Sequence, residues 1–168
     1  LGFPVVLKIL SRDISHKSDV GGVQLNLASP NAVVQAAEDM LATVRRVAPG
    51  ARIDGFNVQP MIRRSGAHEL ILGVAEDSVF GPVILFGQGG TAVEVIGDRV
   101  VGLPPLNPLL ARDMIHATRV SRLLHGYRDR PAADIEAITL TLIKLSQLIS
   151  DLDRVVELDI NPLLADAS

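Results

Sequence analysis

The chain has 168 residues, with 16 Lys and Arg against 19 Asp and Glu for a formal charge of −3, 48% hydrophobic residues, no Cys and no Trp. A chain of this length buries roughly 70% of its unfolded surface, enough for an independent core, while slight acidity and few aromatics exclude a nucleic-acid binder that works by phosphate neutralisation and base stacking. The lack of Cys excludes a disulfide framework, zinc thiolates and thiol catalysis, fits a reducing cytoplasm, and leaves hard oxygen donors for any metal.

The β-branched run 4–10 predicts a strand, followed by the polar stretch 11–19 and a second strand over 23–27 after Gly21-Gly22. Ser29-Pro30-Asn31 is helix-start chemistry, and Val33, Val34, Ala37, Met40, Leu41 and Val44 recur at helical spacing until Pro49-Gly50. Strands are predicted over 53–61, 69–75 and 82–86, and a hairpin pairs 92–96 with 99–103 around Gly97-Asp98. Helices are predicted over 107–124 and 134–151, with a last strand over 155–160. The mean hydropathy is +0.32, yet the most apolar helix segment, 135–152, is broken by Thr139, Thr141, Lys144, Ser146 and Gln147. It falls short of the ~20 apolar residues of a span, so no membrane partner is expected. Strands without strict βαβ repetition indicate an α+β fold.

Four places along the chain carry chemistry. Strand alternation puts Val6, Lys8 and Leu10 on one face and Val5, Leu7 and Ile9 on the other. An ammonium among aliphatics either meets an anion, a phosphate serving as well as a carboxylate, or sits on a solvated edge. The loop His16-Lys17-Ser18-Asp19-Val20-Gly21-Gly22 offers an imidazole, a cation and glycine amides. It reads either as a phosphate-facing loop or as a polar hairpin turn. His68, His116 and His125 share no ligand spacing and read as incidental.

Gly87-Gln88-Gly89-Gly90-Thr91-Ala92 formally matches a dinucleotide fingerprint. The β-branched run after it offers no helix N-terminus for a pyrophosphate, so the glycines mark either close backbone approach to a ligand or a tight turn. Near the C-terminus Glu157, Asp159 and Asn161 alternate with Val156, Leu158 and Ile160. Such oxygen donors suit Mg²⁺, which takes one or two carboxylates and completes its shell with water and phosphate oxygens; the alternative is the polar face of an edge strand. A phosphate-binding Lys and a magnesium site answer one need, a nucleoside triphosphate.

Taken in order, Phe3-Pro4-Val5-Val6-Leu7-Lys8-Ile9, the loop from His16 to Val23, Val58-Gln59-Pro60-Met61, Glu69-Leu70-Ile71-Leu72-Gly73, Phe80-Gly81-Pro82, the run from Phe86 to Thr91 followed by Glu94, Leu123-Leu124-His125-Gly126-Tyr127-Arg128 and the run from Glu157 to Leu163 cover nearly the whole chain. This succession resembles the ATP-grasp domain of the ADP-forming acyl-CoA (acetyl-CoA) synthetases, which are related to the succinyl-CoA synthetase β subunit. The same domain also occurs fused to protein acetyltransferase domains.

The resemblance implies an ATP-grasp fold of two α+β subdomains, with 1–62 the remainder of the first and 63–168 the second, and with both ends truncated. It implies ATP/ADP and Mg²⁺ as ligands. Lys8, Lys17, Gly21 and Gly22 would lie on the phosphate side, Gln59, Pro60 and Met61 would form the hinge at the adenine, and Glu69 would reach the ribose. Gly89, Gly90 and Glu94 would complete the pocket, with Asp159 and Asn161 in the metal site. His16 would accept phosphoryl, in a reversible reaction of acyl-CoA, ADP and phosphate to acid, CoA and ATP.

CoA-binding and ligase domains of the same protein or a partner subunit are expected, in a cytoplasmic oligomer. The alternative reading is a degenerate or regulatory nucleotide-binding module of a synthetase-like protein acetyltransferase. Family members carry more chain before the Lys8 strand and a further strand after the last one here, and Asp129 stands where the family usually has glycine. The fragment is therefore expected to be inactive alone, with some of its apolar surface facing the absent part.

Overall fold

The computed structural model describes residues 1–90, 97–152 and 154–168. The chain divides into two compact units, Leu1–Arg63 and Arg64–Ser168.

In the first unit β1 (Val5–Leu10) is the central strand of an antiparallel sheet, flanked by β2 (Val23–Leu27) and β3 (Gly55–Pro60). One helix, α1 (Pro30–Val47), packs on it. Ser29 begins that helix in extended conformation, with its side chain accepting from the Ala32 amide at 3.2 Å and Pro30 in the first turn, where a missing N–H costs nothing. Arg45 and Arg46 in the last turn oppose the negative end of the helix dipole. Met40 and Val44, one turn apart, meet Leu7, Ile9 and Ile14 in the core. Burial of each such aliphatic is worth about 1.5–3 kcal/mol.

In the second unit four antiparallel strands run in the order β6-β5-β4-β7, with β4 (His68–Asp77), β5 (Gly81–Gln88), β6 (Arg99–Gly102) and β7 (Leu158–Ala165). Helices α2 (Pro108–Ala117), α3 (Ser121–Leu124) and α4 (Ile135–Asp151) accompany this sheet. Ile138, Leu142, Leu145 and Ile149 form the buried stripe of α4 and pack with Leu70, Leu72, Val74, Ile84 and Phe86 of β4 and β5. Asn107 and Asp134 cap α2 and α4 through the amides of Leu110 and Ala137, both at 2.9 Å. The buried Ser146 hydroxyl accepts from the Leu106 amide at 2.7 Å and fastens the start of α2 to α4.

The α+β class stands, and among the described residues no helix is long and apolar enough to cross a membrane. Two elements depart from expectation. The single helix over 107–124 is two, because Thr118 is extended and its hydroxyl turns back to the Ile115 carbonyl at 2.7 Å. The buried Asp98 carboxylate then accepts from the amides of Arg119 and Val120, each at 2.7 Å, which holds the break open. The last strand begins at Leu158 rather than at 155 and continues to Ala165, so Glu157 precedes it. The predicted strand over 92–96 lies outside the described residues.

Candidate functional site

The first unit places Lys8 at the middle of its sheet, paired with Val23 on β2 and Asn57 on β3. Directly paired residues of antiparallel strands share a face. Lys8, Asn57, Val6 and its partner Gln59 therefore line the face away from α1, while Leu7 and Ile9 point into the core. Lys8 is half-buried, and no carboxylate among the described residues pairs with it. The sheet interior brings Lys8 and Gln59 onto one surface, two residues apart along the register. Pro60 ends β3, and the Met61 amide donates to the Pro4 carbonyl at 3.0 Å. The Met61 carbonyl is therefore the backbone group of that residue left for a ligand.

The loop after β1 exposes the His16 imidazole and half-buries Lys17. Its closure is local. The Gly22 amide donates to the Lys17 carbonyl at 2.7 Å, the Gly21 amide to the Ser18 carbonyl at 3.1 Å, and the Gly22 carbonyl accepts from Ile9 at 2.9 Å. A Cβ on Gly22 would come within 2.6 Å of the Ile9 side chain and 2.8 Å of the Lys17 carbonyl. Both glycine amides are consumed by the turn, so glycine is required here for close packing that places His16 and Lys17 at the end of the Lys8 strand. Free phosphate-facing amides at these two residues are not part of the loop.

In the second unit Glu69, Gly89 and Gly90 come together at the end of β4 and β5. They line an open cleft of about 320 Å³ with Ala67, His68, Gln88, Val120, Leu123 and Arg130. The Gly89 amide donates to the Glu69 carbonyl at 2.8 Å. The Glu69 carboxylate occupies the space that a Cβ on Gly90 would need, and Gly90 has φ +80°. Glycine at this position thus sets where the Glu69 side chain lies.

His68, read from the sequence as incidental, is buried in this cleft. Burial, and secondarily the charge of Arg130, holds its imidazole below the ordinary histidine range. His68 and Arg130 are ionisable cleft residues to which the sequence reading gave no role. The usable signal was the position of His68 immediately before Glu69, inward where Glu69 is outward. Glu94 lies outside the described residues.

Asp159 and Asn161 lie on β7, both exposed, while Leu158 and Ile160 pack against the core. Asp159 pairs with Gly73, and the register shifts between Leu70 and Leu72 as β7 passes Asn161 and Pro162. Neither residue lines the cleft at Glu69. Among the described residues no three His, Asp or Glu side chains cluster as a metal site. What remains is a pair of hard oxygen donors, which fits a magnesium ion that draws its other ligands from water and phosphate.

Comparison with known proteins adds to this geometry. Residues 1–168 match the family model described as ATP-grasp domain. The chain is 43% identical over 162 residues to acetate–CoA ligase [ADP-forming] I of Archaeoglobus fulgidus, covering 96% of this chain and 23% of that protein. It is 39% identical over 163 residues to the β subunit of acetate–CoA ligase [ADP-forming] II of Pyrococcus furiosus, covering 96% of this chain and 68% of that subunit. A solved structure of the dinucleotide-forming acetyl-coenzyme A synthetase 1 of Ca. Korarchaeum cryptofilum, in complex with coenzyme A, Ca-AMPCP and HgCl⁺, superposes with a TM-score of 0.89 at 40% identity. That match covers 99% of this chain and 72% of the other. The chain thus spans less than a quarter of the first relative and about 70% of the latter two.

Proposed function

The chain belongs to the ATP-grasp domain family, and from that premise we propose that it is the nucleotide-binding component of an ADP-forming acyl-CoA synthetase. The observation that carries the reading is a match along nearly the whole chain to a synthetase β subunit at 39% identity, joined to a lysine and a glutamine on one face of the first sheet. The two compact units are then the ATP-grasp subdomains, the first ending near 62. CoA-binding and ligase domains, in the same protein or in a partner subunit, complete a cytoplasmic oligomer.

In this reading Lys8 and Lys17 neutralise nucleotide phosphates, and Gln59, Pro60 and the Met61 carbonyl meet the adenine edge. Glu69 holds the ribose, with Gly89, Gly90 and Glu94 completing the pocket. Gly21 and Gly22 act by shaping the loop. Asp159 and Asn161 would hold Mg²⁺, which would supply charge neutralisation at the phosphates. Phosphoryl transfer asks a protein for positioning and positive charge, and these residues supply both. An imidazole nitrogen of His16 attacks the γ-phosphorus of ATP. The N–P bond forms as the bond to the bridging oxygen breaks, and the electron pair leaves on ADP. The phosphoryl group then passes to the domain that handles the acyl group and CoA, and the sequence runs backward to make ATP.

The test is to incubate the full protein with γ-labelled ATP and Mg²⁺ and to look for acid-labile, base-stable label. The reading predicts label that disappears with His16→Ala; equal label in that variant would remove His16 from the path. Turnover of acyl-CoA, ADP and phosphate to ATP separates a working synthetase from a regulatory module of an acetyltransferase, which would show none.

A further inference from the structure

The break between α2 and α3 leaves a further open pocket in the second unit, about 520 Å³ in volume, lined by His116, Ala117, Thr118, Arg119, Ser121, Arg122 and His125. None of the described residues assigned to nucleotide or metal lines it. Two arginines and two histidines are among its lining residues, and among the described residues no carboxylate lines it.

Arg112, on the same helix as His116, is held by Glu136 at 2.8 Å. Among the described residues Arg119 and Arg122 form no ion pair. The carboxylate that meets this turn, that of Asp98, is buried and engaged by the Arg119 and Val120 amides. The wall is held in place. Nδ1 of His125 lies 2.8 Å from the Ser121 carbonyl, the His116 and His125 rings stand 5.3 Å apart between centroids, and the Thr118 hydroxyl is bonded to Ile115.

We propose that this corner is a binding site for a phosphate-class oxyanion, either inorganic phosphate or the terminal phosphate of an ester. Guanidinium forks match the oxygen spacing of phosphate and form paired charge-assisted hydrogen bonds with it. A metal cation is disfavoured because the same two arginines repel it. A bound phosphate also offsets the like charge of the two arginines. The site does not depend on the nucleotide reading.

The experiment is a titration of the chain at low ionic strength with inorganic phosphate, and in parallel with glycerol phosphate, followed by the imidazole NMR signals of His116 and His125. The proposal predicts saturable shifts of both signals. The midpoint should rise about tenfold in the Arg119→Gln, Arg122→Gln double variant, a change of about 1.4 kcal/mol. It should rise similarly in Ala117→Glu, which adds a carboxylate at an exposed lining position without removing a support, and stay unchanged in Arg112→Gln. Tighter binding of the free ion or of the ester assigns the source. Shifts that fail to saturate with either ligand, or midpoints equal in all variants, overturn the proposal.

Discussion

Asp98→Ala tests how the second unit holds its helices. The Asp98 side chain is 21 and 22 residues from its two partners, is buried, and accepts from the Arg119 and Val120 amides at 2.7 Å each. Its own carbonyl accepts from the Gln88 amide at 2.9 Å. Removing the carboxylate strands both donors. A buried unsatisfied donor costs about 1–3 kcal/mol, and since the Val120 amide is buried and the Arg119 amide partly so, the total loss should be about 2–4 kcal/mol. That is a large share of the 5–15 kcal/mol typical of a domain. Asp98→Asn keeps one acceptor oxygen and should lose roughly half as much.

Urea denaturation gives the value by linear extrapolation. The only tyrosine, with no tryptophan in the chain, is Tyr127 in the second unit, so tyrosine fluorescence reports that unit alone. A midpoint in Asp98→Ala equal to that of the parent chain would show that the turn between α2 and α3 is held by something else.

Gly22→Ala sets a methyl against Ile9 and the Lys17 carbonyl. It should destabilise the first unit by about 1–3 kcal/mol, read by hydrogen exchange of the β1 amides. Gly90→Ala combines a positive φ with a collision at the Glu69 carboxylate. It should weaken nucleotide binding and, through the left-handed backbone alone, lower the stability of the second unit by about 1–2 kcal/mol, read as a lower urea midpoint.

His68 is held below the ordinary value of about 6.5 by burial and then by Arg130. Above that pH the folded and unfolded chains are both neutral at this residue. As the pH falls below it the unfolded chain binds a proton that the folded one resists, so stability is lost on acidification. An NMR titration should find His68 titrating below the ordinary histidine value, moving up only part of the way in Arg130→Gln because burial is the larger cause; full recovery in that variant would reverse the order of causes.

Much of the fold was legible because its causes are local. The capping chemistry of Ser29 and Pro30, the stripe ending in Met40 and Val44, and the alternation that turns Lys8 away from Leu7 and Ile9 all act within a few residues. The same holds for Asp159 facing outward beside Leu158 and Ile160. The break in the helix over 107–124 was not legible, because a carboxylate more than 20 residues upstream causes it. His68 was missed for the same kind of reason. Its burial and the direction of its titration depend on groups brought in from elsewhere in the chain, Val120, Leu123 and Arg130. The glycines of the His16 loop left two readings open, since a sequence cannot say whether an amide is free or, as here, already bonded to the loop's own carbonyls.

The most direct test of the central claim is equilibrium binding of ATP, with Mg²⁺ present, to the full protein and to its Lys8→Met variant. Methionine keeps an unbranched, largely apolar stem and removes the terminal ammonium with its charge and its three donors. If Lys8 holds the nucleotide phosphates, the wild-type protein binds one ATP per chain saturably, and the variant binds it at least about tenfold more weakly. Equal affinity in the two proteins, with both folded, would contradict the account.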